Sequence, residues 1–419
     1  MEKMEKKCVL IVDPFSSGSV FASRIKSLYG YDVVALITNP NLPQAILATF
    51  VEEDYSMVFN YHSHLETVQQ IESALGKQPD FIVCGSEPGV LVFDQLCEHW
   101  QLLPNVFELS HARRDKYLMQ HQLKKDDIKY IPHYKSGNLD DILQWCTKNQ
   151  FDEYVIKPVS SFGTEGVFFC KDVSEVESAF GKLINTFDYS GSKNAELLIE
   201  QKIIGTEYVV DAVSSFGQHF VVNIFRYVKQ EINGVPIYRQ MITEPLEEHP
   251  VLISYIKSVL TSLGIRNGTS HNEIIMSATG PVLVESGARM HGGLGPRLVE
   301  DCNTHSLIDL SLMARISPRE FTDKTSVSPL LKRYALEFFL NSPDAGYLKE
   351  VNIESKCSLL KSYGFTVCKY KPGDYINKTV DLVTSYGRVV LVNSDREQLA
   401  ADAEKITEME SSGVLVTII

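Results

Sequence analysis

The sequence predicts a mixed α/β and α+β protein that opens on a doubly wound parallel sheet. Three observations carry this reading. Apolar strand-like runs alternate with helical segments through the first hundred residues, the pattern of a parallel sheet wrapped by helices, with ligand sites at strand ends. Near residues 104–110 the alternation gives way to charged helices and then to strands joined by short glycine-bearing turns. The length, 419 residues, suits two or three domains with a sizeable core.

The elements follow in order. "CVLIV" reads as a buried strand and "DPFSSGSVFASRIKSLYG" as a loop, a helix and a glycine stop. "DVVALIT" is the next strand, "PQAILATFVEE" a helix, "YSMVFNY" a strand and "HLETVQQIESALG" a helix. "DFIVCG" and "EPGVLVFDQLCEHW" complete the domain as strand and helix. "ARRDKYLMQHQLKKDDI" and "DDILQWCTKN" read as helices, and "EYVIKP" as a strand before the glycine turn "SSFGTEGV". "AELLIEQKIIGTEYVVDAVSSFGQHFVVNIFRYVK" reads as strands joined by turns, with a helix at about 247–263 after it. "SHNEIIMSATGPVLVES" has the pattern of two strands around a tight turn. Strands at 333–339, 365–370 and 387–393 and a helix at about 395–410 close the chain.

Composition narrows the function. A net charge of −13 argues against nucleic acid as a partner, since duplexes reward basic surfaces. The eight cysteines form no C-x-x-C pair and mostly sit in apolar segments, which predicts reduced, buried thiols. The first apolar run is too short for a signal peptide, and no run approaches the ~20 residues of a membrane span. A cytoplasmic protein with no membrane partner is expected. "SSGS" after the first strand lacks the G-x-G-x-x-G fingerprint, which disfavours NAD.

Charged residues recur at strand ends. Lys116 lies in "RDKYLM" and Lys157 in "VIKP", with Gly163 and Gly166 soon after. Glu200 and Glu207 lie in "IEQKIIGTE". Glu273 precedes Glu285 by twelve residues, and Arg289 follows in "VESGARMHGG". Lysines neutralise phosphate, glycine backbone can approach oxyanions, and magnesium takes carboxylate oxygens. Glu273 and Glu285 flank the tight turn, so pairing of its strands brings the two side chains together. Two carboxylates in contact repel, and a cation resolves that.

In this combination the chain resembles an ATP-grasp carboxylate–amine ligase over nearly its whole length. The resemblance implies an ATP-grasp fold: a Rossmann-like N-terminal domain over 1–105, an ATP-grasp core over 106–325 with a lid subdomain at about 152–200, and a C-terminal α+β subdomain over 326–419. It implies that Lys116 and Lys157 contact ATP phosphates, and that Glu200, Gln201 and Ile203 belong to the hinge beside the adenine. Glu207 is the expected ribose ligand, and Ser160, Ser161, Phe162 and Gly163 the lid over the γ-phosphate. Glu273 and Glu285 are the expected magnesium ligands and Arg289 the catalytic cation facing the reacting phosphate. The cofactors implied are ATP and Mg2+, with Mn2+ able to substitute.

One position departs from the family pattern. Where the family usually carries Glu-x-Asn, this chain has Glu285, Ser286 and Gly287. Water, Ser286 or a bidentate Glu285 is then expected to fill the place, and the number of metals is left open. "GARMHGG" with "ARRDKYLM" most resembles the L-amino-acid ligases that make dipeptides and their carnosine-synthase-like relatives. That implies amino-acid substrates held by His291, Gly292 and Gly293, and homodimers are common among such proteins. Arg226 and Lys229 either touch substrate or phosphate or form a solvated strand edge, the reading preferred. Glu87 either receives a substrate amino group or simply begins a helix, where carboxylates are favoured; the helix is preferred. The expected reaction is ligation of two L-amino acids through an aminoacyl phosphate. Its rivals are another ATP-grasp ligase or carboxylase, and a nucleotide-binding protein with impaired catalysis.

Overall fold

The computed structural model describes residues 6–160, 165–188, 191–232 and 234–419. It begins with four strands, β1 (Cys8–Val12), β2 (Asp32–Ile37), β3 (Met57–Asn60) and β4 (Phe81–Cys84). They form one parallel sheet in the order β3-β2-β1-β4. The fully buried "CVLIV" of β1 is the central run that a sheet covered on both faces requires. Helices Val20–Tyr29 and His64–Leu75 lie in the crossovers from β1 to β2 and from β3 to β4, and Val90–Trp100 follows β4. Gly30 ends the first in a left-handed conformation, and the Ser63 side chain caps the second by accepting from the Glu66 amide. The order reverses at β1, so the loops after β1 and β4 flank a crevice.

The second sheet is antiparallel: β5 (His133–Ser136), β6 (Tyr154–Pro158), β7 (Phe168–Cys170) and β8 (Leu197–Gln201), in the order β5-β8-β6-β7. Helices Leu139–Asn149 and Val173–Leu183 contribute to its separate small core. The third element group is β9 (Gly205–Ser215), β10 (Gln218–Ile232), β11 (Val235–Glu244), β12 (Gly268–Ser277), β13 (Gly280–Gly287), β14 (Tyr334–Leu340), β15 (Gly346–Val351), β16 (Tyr363–Val367), β17 (Tyr375–Ile376), β18 (Gly387–Asn393) and β19 (Val416–Ile418). Eight of these build a large sheet in the order β13-β12-β9-β10-β11-β14-β18-β16, and β17-β15-β19 stand apart. Residues after 326 therefore complete the same sheet that begins at 205.

Two hydrophobic clusters join the N-terminal sheet to the large one. Leu10 and Leu36 share one with Val210 and Leu283, and Val9 and Phe21 share the other with Phe225 and Leu310. A third cluster holds β14 and β18 to the helix Arg396–Ser411. All eight cysteines are free and seven are buried. No helix among the described residues is long and apolar enough to cross a membrane.

Two local expectations need correction. "PQAILATFVEE" is helical only over Gln44–Leu47. Phe50 then packs between Phe15 and Tyr55, and this tertiary contact ends the helix early. Three helices, Gly295–Cys302, Leu307–Ile316 and Pro318–Lys324, follow β13 without having been expected. Leu307–Ile316 is buried almost all round, so it shows no amphipathic stripe.

Candidate active site

A cavity of about 760 Å³ lies between the crevice of the parallel sheet, the edge of the four-stranded sheet and one face of the large sheet. The β12–β13 hairpin supplies its two central carboxylates. Glu273 stands directly opposite Glu285, and both line the cavity. The register shifts between Glu273 and Ile274, so Val284 is an extra residue on β13. Ile274 and Leu283 face the core together. Without the bulge, strict alternation would put Glu285 on that core side with Leu283; the extra residue turns it back to the cavity. Lys116, at the start of the helix Lys116–Lys125, places Nζ 3.2 Å from Glu285 Oε1. Burial opposes ionisation of Glu273, but His271, Lys229 and Lys116 hold it below the usual carboxylate range.

The next group lies where the four-stranded sheet meets the large one. Lys157 on β6 and Glu200 on β8 form a buried pair at 2.7 Å. Glu200 Oε1 is buried with no hydrogen-bond partner, an acceptor that a ligand donor would satisfy. Gln201 and Ile203 line the same wall. Glu207 on β9 pairs with Lys229 on β10 at 2.6 Å, both facing the cavity. Burial raises the Glu207 carboxyl more than Lys229 lowers it. Ser160 is half-buried just beyond β6 and does not line the cavity. Ser161, Phe162 and Gly163 lie outside the described residues.

Arg226 requires a correction. It is one residue from Tyr227, and neighbours in a strand face opposite ways. Tyr227 and Lys229 line the cavity, whereas Arg226 turns away to Glu244 at 2.7 Å. The solvated-edge reading of Lys229 fails for the same geometric reason.

The charged clamp at the crevice joins residues 202 apart. Arg289 Nε donates to Glu87 Oε2 at 2.7 Å, and Arg114 Nη1 donates to Glu87 Oε1 at 2.6 Å. Burial works against this carboxylate, but Arg114 and Arg289 outweigh it and hold the group at about 2. Glu87 does begin a short 3-10 turn before the helix Val90–Trp100. With an oxygen on each guanidinium it is an anchor for Arg289, and two cations already occupy the place that the alternative reading gave to a substrate amino group.

Gly287 belongs to this clamp. A Cβ there would lie 2.7 Å from Glu87 Oε2 and 3.3 Å from Arg289 Cζ. The space of the family asparagine is thus filled by the Glu87–Arg289 pair. Ser286 is no substitute ligand: it is 1% exposed and donates to Asn272 Oδ1 at 2.7 Å, on the opposite face of β13.

A buried network that the sequence reading passed over holds two parts of the site together. Asp211 on β9 is fully buried. Its oxygens lie 3.1 Å from His271 Nδ1 and 3.0 Å from His291 Nδ1, and Asn223 Nδ2 donates at 2.9 Å. Burial opposes its ionisation, yet His291 and His271 hold it well below the usual range. His271 sits two residues before Glu273, and its Nε2 lies 3.6 Å from that carboxylate. His291 sits two residues after Arg289, with Nε2 3.4 Å from the Tyr227 hydroxyl. One carboxylate therefore fixes both the hairpin and the loop after it. In that loop Gly293 has φ +62°, a left-handed angle that suits glycine, and its amide donates to Ser16 Oγ. Gly292 and His291 line the cavity beside it.

Comparison with known proteins supplies the family. A model of the ATP-grasp domain matches residues 151–296. Dapdiamide A synthase of Enterobacter agglomerans is 30% identical over 97% of this chain and 96% of its own length. The chain belongs to the ATP-grasp carboxylate–amine ligases. This ligase also shares its fold with solved structures. The L-amino acid ligase of Bacillus licheniformis superposes with a TM-score of 0.77 at 16% identity, over 100% of this chain and 99% of the other. The N5-carboxyaminoimidazole synthase of Aspergillus clavatus, solved with ADP, gives 0.69 at 11% identity, over 97% and 99%. In this ligase the matched segment holds Lys157, Glu200, Glu207, Glu273, Glu285 and Arg289. Glu87 and Lys116 come from before it, and the far wall of the cavity, including Glu337 and Arg388, comes from after it.

Proposed function

We propose that this ligase joins two L-amino acids into a dipeptide through an aminoacyl phosphate, with release of ADP and phosphate. The observation that carries the reading is the facing pair Glu273 and Glu285 with Arg289 in the same cavity. Two carboxylates in direct opposition suit Mg2+, which takes hard oxygen ligands and keeps water readily. The metal, when bound, neutralises phosphate charge. Lys116 and Lys157 add cations for the phosphates, and Glu200 Oε1 offers an unsatisfied acceptor to an adenine amine. Glu207 takes the ribose hydroxyls in this reading, and Gln201 and Ile203, which line the cavity, flank the nucleotide.

The substrate carboxylate attacks the γ-phosphate, and an amine then displaces phosphate from the acyl carbon. Both steps develop negative charge, and Arg289 answers it with a guanidinium that stays charged at any working pH. Glu87 and Arg114 hold that guanidinium in place, so little reorganisation is needed during the reaction. His291, Gly292 and Gly293 form the wall where an amino acid fits. Amide ligation is also in keeping with the relationship to dapdiamide A synthase. The alternative of impaired catalysis has Gly287, in place of the family asparagine, as its one support, and the Glu87–Arg289 pair gives that glycine a packing reason.

The test is incubation with amino-acid pairs, ATP and magnesium, following phosphate release and product mass. A dipeptide with stoichiometric phosphate is expected. Phosphate release that needs bicarbonate or biotin would select a carboxylase instead, and nucleotide binding without turnover under any mixture would select the non-catalytic reading.

A further inference from the structure

The end of the cavity farthest from the β12–β13 hairpin is built by residues that no step above uses. Tyr227 on β10 stands opposite Met241 on β11, and Met241 opposite Glu337 on β14. Two strand spacings put Glu337 about 10 Å from Tyr227, whose hydroxyl reaches His291. Glu337 lines the cavity but is only 4% exposed. One of its oxygens lies 3.2 Å from Arg388 Nε, and the other makes no hydrogen bond to a described residue.

Its surroundings leave this carboxylate under-compensated. Arg388 is otherwise engaged: its Nη atoms donate to Ser385 Oγ, Gly387 O and Leu382 O, and its guanidinium lies over the Phe339 ring. Burial outweighs Arg388 and pushes the Glu337 carboxyl up to about 7. Phe339, Leu382 and Val383 make the wall here apolar, and the other nearby cation in the lining, Lys369, is exposed. A carboxylate held in such a place, at the cavity wall, costs free energy until a donor or a counter-charge reaches it.

We propose that this end of the cavity is a side-chain subsite for an amino acid that ends in an ammonium group, with Glu337 as its acceptor. The proposal rests on the dipeptide reading. An ammonium brings three donors and a charge to the open oxygen. An apolar side chain of the same length fills the space but leaves that oxygen without a donor.

The experiment competes lysine against norleucine, which has similar length and no charge, as one member of each substrate pair. Dipeptides are quantified by mass spectrometry with the full-length enzyme, ATP and magnesium. Lysine is expected to exceed norleucine in kcat/KM by at least about tenfold, and Glu337→Gln to bring the ratio to within about threefold of unity. A wild-type ratio near one, or one favouring norleucine, overturns the subsite. So does a ratio that persists in a folded Glu337→Gln protein. Should that variant fail to fold, wild-type competition between lysine and Nε-acetyl-lysine decides the point, and equal use of the two overturns the proposal. Phosphate release with norleucine but no lysine preference sinks the subsite alone. No phosphate release with any pair sinks the dipeptide reading and the subsite with it.

Discussion

At the scale of single residues, the site is governed by how one carboxylate is shared. Glu87 gives one oxygen to Arg114 and the other to Arg289. Breaking a buried pair of this kind by removing one partner typically costs about 3–5 kcal/mol, because the remaining charge is left uncompensated. Gly287 keeps the space that the pair needs. Gly287→Asn would restore the family's usual metal-site residue, yet its Cβ would press on Glu87 Oε2. The expected result is destabilisation of about 1–3 kcal/mol and a fall in kcat of at least about tenfold as Arg289 shifts from its position. Melting temperature and steady-state kinetics measure both. An asparagine variant as active as the parent would mean that the site has room for a further ligand after all.

At the scale of elements, the hairpin depends on its bulge. Glu273 and Glu285 meet because the Ala278–Thr279 turn joins their strands, but they share the cavity face because Val284 is supernumerary on β13. Deleting Val284 leaves Leu283 and Glu285 as neighbours on opposite faces of a regular ladder, so Glu285 keeps its side of the sheet and loses only the local twist that the bulge adds. Turnover should fall by no more than about tenfold, and magnesium should still protect the ATP-bound protein against thermal unfolding. Loss of both, in a protein with an unchanged circular-dichroism spectrum, would show that the bulge itself, and not the face alone, sets the position of the Glu285 carboxylate.

At the scale of the whole molecule, the large face of the cavity is one sheet drawn from distant parts of the chain. β13 through β11 come from before residue 245, or from the hairpin near 280, while β14, β18 and β16 come from after 333. Ending the chain at 325 would strip three strands from β11 and expose Ile242, whose buried cluster is otherwise built by residues after 335. An uncovered apolar edge of that kind favours aggregation. The truncated protein is expected in the insoluble fraction, without a cooperative unfolding transition. A soluble fragment that still binds ATP would make the C-terminal segment an appendage rather than part of the sheet.

By itself the sequence determined what is local. The strand and helix alternation, the capped helices and the tight turn between Glu273 and Glu285 are encoded within windows of a few residues, and so they were legible. The helix Val173–Leu183 was legible too, with Asp172 as its cap and Val176, Ala179, Phe180 and Leu183 on its buried side, although the reading passed over it. Tertiary structure decided the rest. It chose the face of Arg226, gave both oxygens of Glu87 to cations, hung His271 and His291 on Asp211, and set Glu337 at the far end of the cavity. Each of these joins segments between 18 and 202 residues apart in the chain. No local period records such a contact. It exists only once packing between sheets has fixed which side chains share a space with too little water to keep their charges apart.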